Sequence, residues 1–165
     1  MIVVREIKTD DWELMRDVRL AALAEAPNAF GSSYAGEVAF SEEQWRGRIS
    51  ERAVTFFAHE ESADAASAGK APAGLVAVYV EDGAAEIVSM WVRPAARGLG
   101  VGKALVEAAA AWAKAHGFGT LSLWVTESNT SASRLYDQRG FKPTGERQPL
   151  PSDPALAEIR MSRTL

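Results

Sequence analysis

The residues best suited to chemistry run from Arg97 to Lys103, Arg-Gly-Leu-Gly-Val-Gly-Lys, where a β-branched run gives way to an alanine-rich one. Gly98, Gly100 and Gly102 remove side chains where a backbone must approach a ligand closely. A helix starting in this turn leaves its first N–H groups without internal partners. With the positive end of the helix dipole, those groups suit a phosphate or pyrophosphate. Arg97 and Lys103 add positive charge, and the backbone of Leu99 and Val101 completes the turn. Spacing excludes two phosphate-binding alternatives. A Walker loop needs glycine where Arg97 stands and Ser or Thr where Ala104 stands, and the dinucleotide pattern G-x-G-x-x-G needs its third glycine at Lys103. The turn is therefore an anion site of another kind or a glycine-punctuated connection.

A second constellation follows: Asn129-Thr130-Ser131-Ala132-Ser133-Arg134-Leu135-Tyr136, then Gly140-Phe141. Taken alone, Tyr136 is a proton donor or a core aromatic, and Asn129 is a helix cap or turn residue. Taken with Arg97-x-x-Gly100-x-Gly102, they resemble the two hallmarks of the GNAT N-acetyltransferase superfamily. The resemblance is tight over Glu86–Phe141 and elsewhere rests on element order. It implies an α+β fold: a central, mostly antiparallel twisted sheet of about seven strands with a splayed parallel pair, flanked by about four helices. It also implies acetyl-CoA as acetyl donor and a primary amine of a small molecule or peptide as acceptor, and it is compatible with a homodimer. A catalytically silent acyl-CoA-binding or sensing domain would share the fold and the donor site.

The resemblance assigns roles residue by residue. The backbone of Met90, Trp91 and Val92 would hydrogen-bond the pantetheine arm and face the developing oxyanion. Residues 97–103 would hold the pyrophosphate. Asn129 would bind the pantetheine or a nearby carbonyl, and Tyr136 would protonate the departing thiolate. An alkyl ammonium near pKa 10.4 must lose a proton before it attacks, so a base or solvent is required. Glu86 is the first candidate, with a solvated strand-end charge as the alternative. Glu127 is a further candidate whose direction the strand pattern leaves open. Many relatives carry a glutamate where this chain has Trp124, which cannot accept a proton but could pack on a substrate or a cationic amine. Phe30 and Tyr34 either close over the acceptor or plug the core. Arg19, Glu25 and Trp45 are further wall candidates.

The elements that must position these residues are legible in outline. Strands are expected over Ile2–Ile7, Val54–Ala58, Gly74–Val80, Ala84–Val92, about 121–125, from Phe141 onward, and Glu158–Arg163. Asp10 with Glu13 reads as the cap of a helix that buries Leu14, Val18 and Ala21 or Ala22 and stops before Pro27-Asn28. Ser41 with Gln44 reads as a capping box opening a helix to about Arg52. Val101, Leu105, Ala108 or Ala109, Trp112 and Ala115 form one helical face ending at Gly117, and Ser131–Arg139 forms a short helix. Glu25–Gly36 reads as irregular, Glu60–Ala73 as a hairpin loop, and Pro149–Pro154 as a turn-rich loop.

Composition bounds the rest. The 165 residues are expected to form a single domain, 1–165, and with 47% hydrophobic and 24% charged residues they have the balance of a globular protein. A net charge of −4 argues against a nucleic-acid partner. The absence of cysteine excludes disulfides and a thiol nucleophile. With only His59 and His116 besides, no metal site is expected. No apolar run reaches the roughly 18 to 20 residues of a membrane helix, so the expected setting is cytoplasmic, with no membrane partner.

Overall fold

The computed structural model describes residues 1–61 and 71–165, so most of the loop expected over Glu60–Ala73 lies outside the described residues. The elements run β1 (Ile2–Glu6), α1 (Trp12–Glu25), α2 (Tyr34–Glu37), α3 (Glu42–Gly47), β2 (Ala53–Glu60), β3 (Gly74–Glu81) and β4 (Ala84–Val92). After these come α4 (Val101–Ala115), β5 (Thr120–Thr126), α5 (Thr130–Gln138), β6 (Lys142–Leu150) and β7 (Asp153–Thr164). The strands form a seven-stranded sheet in the order β1-β2-β3-β4-β5-β7-β6. Among the described residues β4–β5 is the one parallel pairing, because α4 is the crossover that lets the chain re-enter the sheet in the same direction. The mostly antiparallel seven-stranded sheet is the architecture that the sequence motifs imply, with five α-helices among the described residues where about four are expected.

Each sheet face carries its own core. Against one face, α4 lays down Val101, Leu105, Val106, Ala109, Ala110 and Ala113, packed on Val76, Val78, Leu121 and Leu123. Ala115, expected on this face, is exposed, and Trp112 is half-buried, its ring stacked on His116. Against the other face, α1 buries Met15, Val18, Ala22 and Leu23 with Phe30, Trp45, Phe57, Leu75 and Trp91. Fully burying such a side chain contributes about 1.5–3 kcal/mol, so these two faces fix the layer order.

The α1 face differs from its expected register. Leu14 is exposed and Met15 is buried. Asp10 is not the cap: Asp11 Oδ2 accepts the Lys8 amide N–H at 2.7 Å, and a 3-10 turn over Thr9–Asp11 precedes a helix that begins at Trp12. The capping box is as expected, Ser41 Oγ accepting from Gln44 N at 3.2 Å and Gln44 Oε1 from Ser41 N at 2.9 Å, but its helix stops at Gly47 rather than near Arg52. Within the segment read as irregular, Ser33 Oγ accepts from Gly36 N at 3.2 Å and caps the single turn α2. The expected loop at Pro149–Pro154 contracts to a tight reversal, since β6 runs to Leu150 and β7 begins at Asp153.

One local irregularity shapes the centre. Along β3–β4, Ala77 pairs with Ser89 and Val78 with Ile87, which leaves Val88 as an extra residue on β4. The alternation of β4 breaks there. Ala85 and Ile87 belong to the α4-side core, whereas Ser89 reaches α1 and Trp91 belongs to the α1-side core. A β-bulge bends its strand and raises local twist. The pairing of β4 with β5 ends at that point, covering only Ala85–Ile87 against Leu121–Leu123. Beyond it the two parallel strands diverge.

Gly74 sets how closely β3 and α4 approach this region. A Cβ there would lie 2.5 Å from the Trp91 carbonyl oxygen and 3.1 Å from Leu105 Cδ1. Gly74→Ala is expected to lower unfolding free energy by about 1–3 kcal/mol, the usual cost of overpacking. Gly119→Ala, where a Cβ would meet nothing within 4 Å, should change it little. Denaturant titration of both variants measures the contrast.

Candidate active site

Where β4 leaves β5, a cavity of about 820 Å³ opens. Its walls come from both sides of the sheet: Glu25, Phe30, Ser89 and Trp124 from the α1 side, Gly102, Leu135 and Tyr136 from the α4 and α5 side. The cavity therefore passes through the sheet at the splay. Met90, Trp91 and Val92 line it with backbone that has no strand partner on the β5 side.

The glycine turn closes one end. Gly98 and Gly100 adopt φ of 81° and 87°, the left-handed region, and a Cβ on either would meet nothing within 4 Å among the described residues. Conformation, rather than crowding by the protein, demands glycine at both, and the space above them is open to a ligand. Gly102 differs: a Cβ there would come within 2.9 Å of Leu135 Cδ2, so this glycine lets α4 lie against α5. Gly100 caps α4 without any side-chain hydrogen bond, which leaves the first amide N–H groups of the helix free. Arg97, Gly98, Gly100, Gly102 and Lys103 all line the cavity. Two expected contacts do not. Leu99 is exposed at the tip of the turn, and the Val101 side chain is buried in the core, so neither side chain lines it.

Asn129 is a helix cap that also borders the cavity, its Oδ1 accepting from Ala132 N at 3.2 Å at the start of α5. Tyr136, on α5, is 5% exposed, stands edge-on to Phe141 and lines the cavity too. Burial pushes its phenol well above the ordinary value, so it stays protonated at neutral pH.

Across the sheet, Glu86 and Trp124 line the cavity with Glu158, a carboxylate that the motifs do not flag. Burial raises the Glu86 pKa; Arg160 opposes that shift, and the charges of Glu158, Glu146 and Glu81 add to it. Glu158 is 8% exposed and accepts from Gln148 Nε2 at 2.6 Å. Alternation along β7, which sends Ile159 and Met161 to the α4-side core, puts Glu158 on the opposite face. That pattern could have found it. Glu127 turns outward, accepting from Arg147 Nε at 2.6 Å, and does not line the cavity.

Of the other expected wall residues, Phe30 is buried and lines the cavity, so it fills the core and walls the site together. Tyr34 is exposed on α2 and stands outside the cavity, as does Trp45, which is buried in the α1-side core. The segment carrying Phe30 is tied down through its backbone. Asn28 O accepts from Thr126 Oγ1 at 2.6 Å and Phe30 O from Ser152 Oγ at 2.5 Å. Glu25 sits nearer the glycine turn than expected, its Oε2 accepting from Arg97 Nη2 at 2.7 Å and from Trp91 Nε1 at 2.8 Å.

A strand, a glycine turn and a helix N-terminus on one side of a splayed parallel pair, with a buried tyrosine on the next helix, form a constellation that known proteins share. The profile of the acetyltransferase (GNAT) family matches residues 17–141. The chain belongs to the GNAT acetyltransferase family. Among curated relatives, mycothiol acetyltransferase of Thermobispora bispora is 41% identical over 56 residues, 34% of this chain and 19% of that protein. The chain thus matches about a fifth of the length of such relatives. Among solved structures, a GCN5-related N-acetyltransferase from Kribbella flavida superposes with a TM-score of 0.75 at 24% identity, covering 99% of this chain and 98% of that one. The PaiA N-acetyltransferase of Thermoplasma acidophilum, solved in complex with coenzyme A, gives 0.66 at 18% identity, covering 100% and 99%. These likenesses describe the GNAT fold.

Beneath the α1-side wall of this GNAT site lies a buried ion pair that the motifs do not reveal. Arg19 and Glu37 are 3% and 0% exposed. Arg19 Nε and Nη2 donate to the two carboxylate oxygens of Glu37 at 3.1 and 2.9 Å, and Nη1 donates to Ser89 Oγ at 3.1 Å. Its guanidinium lies 4.5 Å from the Phe30 ring centroid, and Arg48 adds a second cation to Glu37. Burial pushes the Glu37 pKa up, but the Arg19 hydrogen bonds and the charges of Arg19 and Arg48 outweigh it, and the net shift is downward. A lowered carboxylate contributes stability that is present above its unfolded-state pKa and lost as pH falls through the folded value. The stability difference between wild type and Glu37→Gln is therefore expected to be largest near neutral pH and to shrink below roughly pH 4 to 5. Denaturant titrations across pH measure it. Arg19→Met, which leaves Arg48 as the remaining cation on Glu37 and takes the donor from Ser89 Oγ, should cost about 1–3 kcal/mol at pH 7.

Proposed function

We propose that this chain transfers the acetyl group of acetyl-CoA to a primary amine of a small molecule or peptide, in the cytoplasm, with residues 1–165 acting as one domain. One observation carries the reading: a single cavity joins the anion-binding turn on one side of the sheet to a carboxylate- and tryptophan-lined wall on the other. Arg97, Lys103 and the free amides at the start of α4 hold the donor's pyrophosphate. Backbone of Met90–Val92 orients the pantetheine arm in the gap that the Val88 bulge opens. Asn129 borders the same arm.

The amine enters from the α1 side, between Phe30, Trp124 and Glu86. Glu86 takes a proton from the ammonium, directly or through water. Burial raises its pKa and so makes it a stronger base than an exposed carboxylate, and Trp124, which lines the same cavity, offers the cation an aromatic face. The free amine nitrogen then attacks the thioester carbonyl. The C–N bond forms, negative charge develops on the carbonyl oxygen, and an N–H from Met90–Val92 meets it; one such donor is worth about 3 kcal/mol. On collapse the C–S bond breaks, the thiolate takes a proton from Tyr136, and the attacking nitrogen gives its remaining extra proton to solvent. A phenol raised by burial is a weak acid, yet a thiolate released into the same apolar space is made more basic by the same loss of solvation.

Tyr136→Phe is expected to lower kcat about a hundredfold with little change in donor KM, the scale of one general acid. Glu86→Gln should remove the ascending limb of the rate profile. That limb reports the deprotonated base, so it lies above the usual carboxylate range, in the direction that burial dictates. Steady-state kinetics from pH 5 to 9 test both. Binding is tested by thermal shift with acetyl-CoA, coenzyme A and ATP: at about 100 Kd a ligand adds roughly 2.7 kcal/mol, and Gly100→Glu should abolish the shift with both coenzyme A forms. Donor binding without turnover across an amine panel would instead assign a silent acyl-CoA-binding domain.

A further inference from the structure

We infer that Glu25 is a positioning residue for the donor's phosphates: it holds the Arg97 guanidinium in place from the last residue of α1, on the acceptor side of the fold. The inference rests on the proposed use of acetyl-CoA. Arg97 comes from a flexible type of side chain with many rotamers, and its head is half-exposed at the cavity mouth. Two acceptors remove that freedom. Arg97 Nε donates to the Val92 carbonyl at 3.0 Å, and Nη2 donates to Glu25 Oε2 at 2.7 Å. The two bonds pin one edge of the planar fork against β4 and leave the other edge, with Nη1, to meet an anion. The same Glu25 oxygen accepts from Trp91 Nε1 at 2.8 Å, so the carboxylate is itself oriented by the strand that lines the cavity. The Trp91 bond and Arg97 hold this carboxyl below its ordinary range, with burial opposing them.

The opposing possibility is that a carboxylate beside the phosphate site merely repels a polyanionic donor. The two effects have opposite signs, which makes them separable. An ion pair of this exposure contributes little to stability, so its effect should appear in donor recognition rather than in folding. Orientation of Arg97 matters only to a donor that carries phosphates.

The test compares kcat/KM for acetyl-CoA with kcat/KM for S-acetylpantetheine, which offers the same thioester and no phosphate, in wild type, Glu25→Ala, Arg97→Ala and the double variant. Circular dichroism melts check the folding of each. The positioning role predicts that Glu25→Ala lowers the ratio of the two specificity constants about fivefold, and that the double variant falls no further than Arg97→Ala. A ratio that rises in Glu25→Ala would show repulsion instead and overturn the inference. So would equal losses on both donors, which mark a general structural role acting through Trp91, or losses that multiply in the double variant. A wild-type protein that uses neither donor would sink the proposed function itself, an outcome distinct from all of these.

Discussion

The site depends on one backbone constraint, the insertion of Val88 into β4. In a regular parallel pair, β4 and β5 would satisfy each other along their whole length, and no backbone would be left for a ligand. The extra residue reverses the alternation of the strand between Ile87 and Ser89 and ends the pairing after three residues of β4. Ser89 and Trp91 are thereby turned toward α1, while Met90 and Val92 face α4. An opening that would otherwise expose unpaired amides becomes a slot whose unpaired groups have a use.

Helix placement follows from the same constraint. α4 begins beside the opening because the chain leaves β4 at the point where the strand has parted from its neighbour. Gly102 lets α5 approach closely enough for Tyr136 to reach the slot from above. On the far side the Arg19–Glu37 pair braces the bulged segment through Ser89 and supports Phe30 from beneath. A buried ion pair is a costly way to stabilise a fold; here its hydrogen bonds tie α1, α2 and β4 together at one point.

The sequence made the parts with local causes readable. β4 is legible at Ala84–Val92, the glycine turn and α4 follow it, and the cap at Asn129 is visible because it forms within three residues. What depended on distant partners was not readable. The Val88 bulge shows only in its register against β3, and Leu14 and Met15 are equally plausible core residues until α1 is docked. Glu25 looked like a wall residue for the acceptor, since its two partners lie 66 and 72 positions away. Tyr34, an aromatic expected either to close over the acceptor or to plug the core, does neither, because the short helix α2 carries it into solvent and buries Glu37 instead.

The loop that carries Phe30 is fastened by its carbonyl oxygens, through hydroxyls supplied by Thr126 and Ser152. Neither bond involves a side chain of the loop itself. Ala29 and Gly31, which also face the cavity, can thus be exchanged for bulkier or charged residues without unfastening the segment, although Gly31 has Pro151 3.5 Å from where its Cβ would stand. Such an arrangement separates what must persist from what can drift. Acceptor preference can change by substitution in one short stretch, while the machinery for the donor, on other elements, stays as it is.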